Sequence, residues 1–294
     1  MPVGPGDRLE WVRKSASSAL KQGAKLVIYD NSERQDLFDL IQELKSLYGL
    51  TYVRGERMRK VNMAALRNRL LSLAGSDRFM MLDSDVVLGE GFLTGIFSFA
   101  EVNEASMVWA HYAYSEEELK RPLGRGEENP NLGCAVLKAS DLRTLGGFDE
   151  RYERDEDVWL YSKLKRLGKR VLPYPGRCLH LNRSHLREDL HSSLREARRN
   201  LWRAKYDMML VVDGLSNSTF LTSYAYYLSY YVVAALSVLY PLSSVLFLPL
   251  IVIGAKYHGG LRGFALNLVP GLALTVGAIY GIPWALMRSR RGVS

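Results

Sequence analysis

Asp83, Ser84 and Asp85 carry the pattern most suggestive of chemistry in this 294-residue chain. They close an apolar run, Arg78-Phe79-Met80-Met81-Leu82, that reads as a buried strand, and alternate residues of an extended chain point the same way. Two carboxylates then share one side at a strand's carboxyl end, where open α/β sheets bind their ligands. Oxygen ligands of this kind suit Mg2+ or Mn2+, and such an ion would neutralise a leaving diphosphate. A solvated turn with capping aspartates explains an isolated Asp-x-Asp equally well, so the surroundings decide.

Positioning such a pair takes a sheet. Arg8–Lys21 has the spacing of an amphipathic helix, Lys25–Tyr29 is a short strand closed by the turn formers Asp30-Asn31-Ser32, and Gln35–Leu47 returns to helical spacing. Thr51–Val53 follows as a strand, Asn62–Leu73 as a helix and Arg78–Leu82 as the strand before Asp83. This alternation implies βαβ units and a mostly parallel sheet. Beyond it, Met107–Ala110 is expected as a strand, Ser115–Asn131 as a charged loop and Ser140–Leu145 as a short helix. Glu156–Leu167 is helical, Arg170–Leu172 a strand, and Leu186–Tyr206 a long basic amphipathic helix.

In order and spacing, several separate motifs resemble the family 2 glycosyltransferases of the GT-A fold. They are Asp30-Asn31-Ser32, the Asn62–Asn68 helix start, Asp83-Ser84-Asp85, Gly146-Gly147-Phe148-Asp149-Glu150, Glu156-Asp157-Val158-Trp159-Leu160, Gly168–Pro173 and His180. More narrowly, the chain resembles a reduced cellulose-synthase-like membrane enzyme, of an archaeal-type mannosyltransferase kind. The resemblance implies a Rossmann-like nucleotide-sugar-binding α/β domain over residues 1–185. Asp30 then binds the base or ribose, Arg67 lies near the donor diphosphate, and Pro2, Val3, Asp83 and Ser84 complete the donor site. Asp83, Asp85 and His180 are the implied ligands of Mn2+ (or Mg2+), with Asp157 as general base. Each has a purely structural alternative: Glu156 and Asp157 as helix caps, His180 as a strand-end residue, Arg67 as a surface charge. Glu156 and Trp159 are assigned to the acceptor, with helix-core packing the alternative for Trp159.

Two departures from the family pattern stand out. Of the usual opening strand only Pro2-Val3-Gly4 is present. Processive polymer synthases carry Gln-x-x-Arg-Trp on an interfacial helix, where this chain has Arg198-Arg199-Asn200-Leu201-Trp202. Addition of a single sugar is therefore expected, with Arg198, Arg199 or Trp202 meeting a phosphate or anchoring lipid headgroups.

The net charge is +8, with basic residues crowded between Arg177 and Lys205. Such a run just ahead of a hydrophobic segment suits anionic headgroups, whereas a nucleic-acid partner leaves the apolar tail unexplained. Residues 186–217 are thus expected as an interface helix and linker. Residues 218–294 are expected as a transmembrane part of three spans, or two with one segment lying in the interface. Phe220–Ala255, broken at Pro241, supplies a hairpin and Phe264–Met287 a further span, each measured against a hydrocarbon core of about 30 Å. Lys256 and Arg262 mark a cytoplasmic loop in the three-span case, which leaves Arg288, Arg290 and Arg291 outside. Cys134 and Cys178 have neither zinc nor disulfide-framework spacing, and Met1–Asp7 lacks a signal peptide's apolar run. The expected place is the cell membrane with the catalytic part facing the cytoplasm. The expected partners are a nucleotide-sugar donor (GDP-mannose, with a UDP-sugar as alternative), a polyprenyl or dolichyl phosphate type of acceptor, and membrane lipids.

Overall fold

β1 (Pro2–Val3), β2 (Val27–Asp30) and β3 (Thr51–Arg54) form a parallel three-stranded sheet with β2 in the middle, in a computed structural model that describes residues 1–55, 62–122, 130–216 and 218–290. The remnant strand is genuine: Pro2 registers with Tyr29 and Val3 with Asp30, and the Val3 side chain is fully enclosed. The crossovers are α1 (Leu9–Leu20) and α2 (Gln35–Tyr48). Val12, Ala16, Ala19 and Leu20 form the buried face of α1, and Leu37, Leu40, Ile41 and Leu44 that of α2, the i, i+3/i+4 spacing of an apolar stripe. Gly49 in the left-handed region ends α2, its amide donating to the Lys45 carbonyl.

α3 (Met63–Ser72) starts at Asn62, whose side chain accepts from the Ala65 amide, and leads into β4 (Arg78–Leu82). Then come β5 (Val86–Val87), α4 (Phe92–Val102), β6 (Met107–Ala113), α5 (Glu116–Leu119), β7 (Cys134–Lys138), α6 (Ala139–Thr144), α7 (Glu156–Arg166) and β8 (Val171–His180). A five-stranded sheet takes the order β4-β7-β6-β8-β5. Here the expectation of a mostly parallel sheet needs correcting. Only β6 and β8 run parallel, while β7 is antiparallel to β4 and β6, and β5 to β8. Apolar runs do not encode the direction in which two strands pair. One hydrophobic core, from Val3 and Ile28 through Leu82, Val86 and Ile96 to Val136 and Cys178, underlies both sheets.

The charged stretch expected as a loop contains α5, capped by the Ser115 side chain on the Glu118 amide; residues 123–129 lie outside the described residues. β8 is far longer than the expected Arg170–Leu172. Pro173 and Pro175 suppress the strand signal, and the structure accommodates them at a register shift: Trp109 pairs with Pro173, but His111 pairs with Arg177.

Met1–Arg183 forms one compact unit and Ser184–Ser294 a second. The second contains α8 (Leu190–Val212), α9 (Ser218–Leu239), a 3-10 segment at Pro241–Leu246, α10 (Phe247–Tyr257) and α11 (Leu261–Arg290). α8 begins four residues after the expected Leu186, at a reciprocal capping box between Asp189 and Ser192. The chain breaks at Pro241. Among the described residues one helix, over Leu261–Ser289, is long and apolar enough to cross a membrane. Arg291 lies outside the described residues.

Candidate active site

Asp83 follows β4 at the carboxyl edge of the sheet. Its amide donates to the Gly133 carbonyl (2.9 Å) and its own carbonyl accepts from the Ser15 hydroxyl of α1 (2.9 Å), so two elements hold the turn. Its Oδ1 is buried and accepts no hydrogen bond among the described residues; the Arg67 Nη2 stands 3.7 Å away.

Arg67, expected near the donor diphosphate, lies beside Asp83 in an ion-paired group. The side chain is enclosed, 3% exposed as a residue, with Nε donating to Glu156 Oε1 (3.1 Å) and Nη1 to the Leu132 carbonyl (3.3 Å). Burial alone would lower its pKa, but Asp83 and Glu156 more than offset this and keep the guanidinium charged. A buried arginine needs carboxylates around it, and these two supply them. Glu156 is the buried counter-ion of Arg67, its pKa raised by burial with Arg67 opposing.

The Gly146–Glu150 motif sets this pair in place. Asn68 of α3 donates to the Phe148 carbonyl and accepts from the Phe148 amide (2.9 and 2.7 Å), and Asn62 donates to the Glu150 carbonyl (2.9 Å). Gly147 has φ +90, and an added Cβ would lie 2.5 Å from Asn68 Oδ1, so glycine is required twice over. The chain then turns at Asp155, a non-glycine residue at φ +60, directly before α7. Glu156 thereby points inward to Arg67, while Asp157, next in the same first turn, stays partly exposed and accepts from the Val158 amide (2.8 Å). Trp159 belongs to the core. At 4% exposure it packs on Phe148 and Tyr152 (ring centroids 6.4 and 6.2 Å), the helix-core packing named as its structural alternative.

Asp85 and His180 meet across the β5–β8 ladder, with Nε2 to Oδ1 at 3.7 Å. Burial first, then Asp83 and Asp7, push the Asp85 carboxyl up to about 6, against a hydrogen bond from Asn182. Burial lowers the His180 pKa, with Asp83 opposing, which favours the neutral imidazole that a metal ligand must be. The His180 ring packs edge-on to Tyr112 (4.5 Å between centroids).

Ser84 shows a residue that the sequence reading missed. Its hydroxyl donates to Asp7 Oδ2 (2.8 Å), which also accepts from the Gly4 amide (2.8 Å). Asp7 is pushed up by burial, with Asp83 adding to the shift. Its only sequence signal is the Gly4-Pro5-Gly6 turn after β1, a loop at the ligand edge of a strand. Pro2 and Val3 sit in that strand, the Val3 carbonyl accepting from Asn31 (3.0 Å). Asp30, at the end of β2, accepts from the Ser32 amide on Oδ1 (2.8 Å) and from the Tyr52 hydroxyl on Oδ2 (3.2 Å). In the second unit, Arg198 is exposed on α8, Arg199 faces Glu196 (3.6 Å), and Trp202 packs on Tyr206 with the Lys205 ammonium above it (4.8 Å).

Asp83 and Glu156 flank the embedded guanidinium, and Asp7 and Asp85 lie near enough to Asp83 for its charge to raise both their pKa values, an excess of negative charge that calls for a cation. Among the described residues no three or more His, Cys, Asp and Glu close around a point by themselves. An ion of the Mg2+ or Mn2+ type does not need closure, because it takes one or two carboxylates and completes its shell with water and substrate phosphate. The orphaned Asp83 oxygen, Asp85 and neutral His180 fit that open set.

A Rossmann-like parallel sheet joined to a mixed sheet, with an acidic turn at the shared ligand edge, defines a nucleotide-sugar-binding domain of the GT-A type. The sequence pattern described as "Glycosyl transferase family 2" matches residues 7–168, and the chain belongs to that family. The fold is shared with the mannosyltransferase PcManGT from Pyrobaculum calidifontis, solved in complex with GDP-Man and Mn2+, at 14% identity and a TM-score of 0.65 over 96% of this chain and 85% of that one. It is also shared with S. aureus TarS 1-349 in complex with UDP, at 12% identity and a TM-score of 0.51 over 99% and 90%. No curated protein matches in sequence.

Proposed function

We propose that the chain transfers one sugar, mannose, with inversion from a nucleotide-diphosphate donor to a lipid-linked acceptor of the polyprenyl phosphate type. The supporting observation is the acidic group around Asp83, whose Oδ1 is buried and accepts no hydrogen bond among the described residues. Asp85, Asp83 and His180 would hold Mn2+ or Mg2+, which when bound supplies charge neutralisation for the departing nucleoside diphosphate. Asp30 receives the nucleoside, and Arg67 with Glu156 positions Asp83 without touching the donor. Asp157, the partly exposed carboxylate of α7, takes the proton of a sugar hydroxyl on the lipid-linked acceptor as that oxygen forms its bond to C1. The bond from C1 to the diphosphate oxygen breaks on the opposite face, and an α-linked donor yields a β-linked product. No enzyme nucleophile is needed.

The preference for GDP-mannose is supported by the likeness to PcManGT, and a UDP-sugar is the second reading because the TarS complex holds UDP. The basic α8 and the apolar second unit support a site working at the cytoplasmic face of the cell membrane. The test is hydrolysis and transfer from GDP-mannose and UDP-glucose with Mn2+, comparing the native chain with Asp85→Asn and Asp157→Asn. Turnover that is metal-dependent and lost in both variants supports the reading. Equal rates in all three would leave a catalytically silent membrane scaffold.

A further inference from the structure

We propose that Ser15 of α1 is a positioning residue for the cation site, its hydroxyl fixing the turn that carries Asp83 and Asp85. The proposal rests on the reading above that these two carboxylates meet the ion.

The two aspartates stand on a β-turn, Asp83-Ser84-Asp85-Val86, closed by the Val86 amide donating to the Asp83 carbonyl (3.2 Å). That carbonyl has a second lone pair, and the Ser15 hydroxyl donates to it from α1 (2.9 Å). A serine inside a helix commonly turns its hydroxyl back to a carbonyl three or four residues earlier, as Ser18 does to Ser15 (2.7 Å). Ser15 is fully enclosed and instead bonds a carbonyl 68 residues along the chain. Packing alone does not explain a serine here. Alanine fills Ala16 and Ala19 on the buried side of the same helix and is the better helix former.

The neighbouring polar residues of α1 show what is particular to Ser15. Ser15, Ser18 and Gln22 share one face of the helix, at i, i+3 and i+7. The Leu88 amide donates to Ser18 Oγ (3.0 Å) and the Leu93 amide to Gln22 Oε1 (3.0 Å). Leu93 lies in the first turn of α4, where amides lack helical partners and the Gly91 cap has no side chain to offer. Ser18 and Gln22 therefore stabilise by satisfying amides. Ser15 relieves no such need, because the Asp83 carbonyl already accepts from Val86. What it supplies is direction.

The Asp83 amide is tied to the Gly133 carbonyl (2.9 Å), and the Asp85 carbonyl accepts from the Leu181 amide (2.8 Å). With both ends of the turn held, the Ser15 bond sets the tilt of the peptide between Asp83 and Ser84, and so the aim of the flanking carboxylates. Such control matters because the two carboxylates repel one another, the Asp83 charge being one cause of the raised Asp85 pKa. A turn braced against that repulsion does not have to be closed by the ion itself, so less binding free energy is lost to ordering.

The test is calorimetric titration of the full chain with Mn2+ alone, with thermal unfolding of the metal-free protein alongside. Ser15→Ala is expected to weaken Mn2+ binding about tenfold, the usual scale for losing a residue that orients a metal ligand. Its Tm should fall less than that of Gln22→Ala, which strips an α4 amide of its partner and should leave Mn2+ affinity unchanged. In turnover assays the Mn2+ concentration giving half the maximal rate should rise in Ser15→Ala by the same factor, with kcat at saturating Mn2+ retained. Native Mn2+ affinity in Ser15→Ala, or an equal loss in Gln22→Ala, overturns the inference and leaves Asp83 and Asp85 as ligands. A native chain that binds no Mn2+ overturns that reading as well.

Discussion

Arg67 and Glu156, from helices far apart in sequence, form an ion pair of 3.1 Å with both side chains enclosed. Removing one partner leaves the other charge buried and alone, which typically costs about 3–5 kcal/mol. Arg67→Ala and Glu156→Ala are each expected to lose that much in denaturant unfolding. Glu156→Gln keeps the shape and an acceptor oxygen, and is expected to lose less. A double variant that loses much less than the sum of the singles would measure the coupling directly.

Asp85 links stability to pH and metal. Its carboxyl is pushed up to about 6 from an ordinary 3.8. A raised folded-state pKa contributes stability that is complete below pH 3.8 and lost as pH rises through about 6, on the order of 3 kcal/mol. His180, shifted down by burial, contributes in the opposite sense: its share is present above its ordinary value near 6.5 and fades as pH falls through the lowered one. The difference between native chain and Asp85→Asn isolates the aspartate. In metal-free protein the Tm of the native chain should fall relative to Asp85→Asn between about pH 4 and pH 6, the interval between the unfolded and folded values, and level off above it. Mn2+ should raise the native Tm most at the upper end, where it meets no competing proton.

Asp157 is expected to govern the rate rather than donor binding. Loss of a positioned base removes about 10²–10⁴-fold. Asp157→Asn should reduce kcat by that factor, with the Kd for donor and Mn2+ unchanged by calorimetry. A parallel loss of donor affinity would move Asp157 to the donor side and remove its role as base.

Much of this site could be read in the sequence because its residues close regular elements. The strand before Asp83 is Arg78–Leu82 in both the sequence pattern and the structure, and the helix beginning at Glu156 was legible from its apolar spacing. What stayed hidden depended on partners distant along the chain. That Arg67 faces inward follows from Glu156 and Asp83 meeting it, which no local pattern carries. Asp7 sits in a turn without periodicity, and its role appears only when Ser84 folds against it. α4 went unread because apolar residues nearly all round it hide the helical period, and its Gly91 cap offers no side-chain signal.

Gly133 tests whether the orphaned Asp83 oxygen is a metal ligand or a packing accident. The Tyr112 hydroxyl and the Asp83 carboxylate both fill the space where a Cβ at this position would stand, and the Asp83 carboxyl carbon as well as an oxygen lies within clash distance. Gly133→Ala therefore has to displace Asp83, at an overpacking cost of about 1–3 kcal/mol. If Asp83 contributes to the cation site, Mn2+ affinity measured by calorimetry should drop about tenfold or more, which corresponds to about 1.4 kcal/mol. The companion Tyr112→Phe,Gly133→Ala variant returns the hydroxyl's volume and should recover both stability and metal binding in part. Recovery of stability with Mn2+ affinity unchanged throughout the series would show that Asp83 holds the turn and Asp85 alone meets the ion.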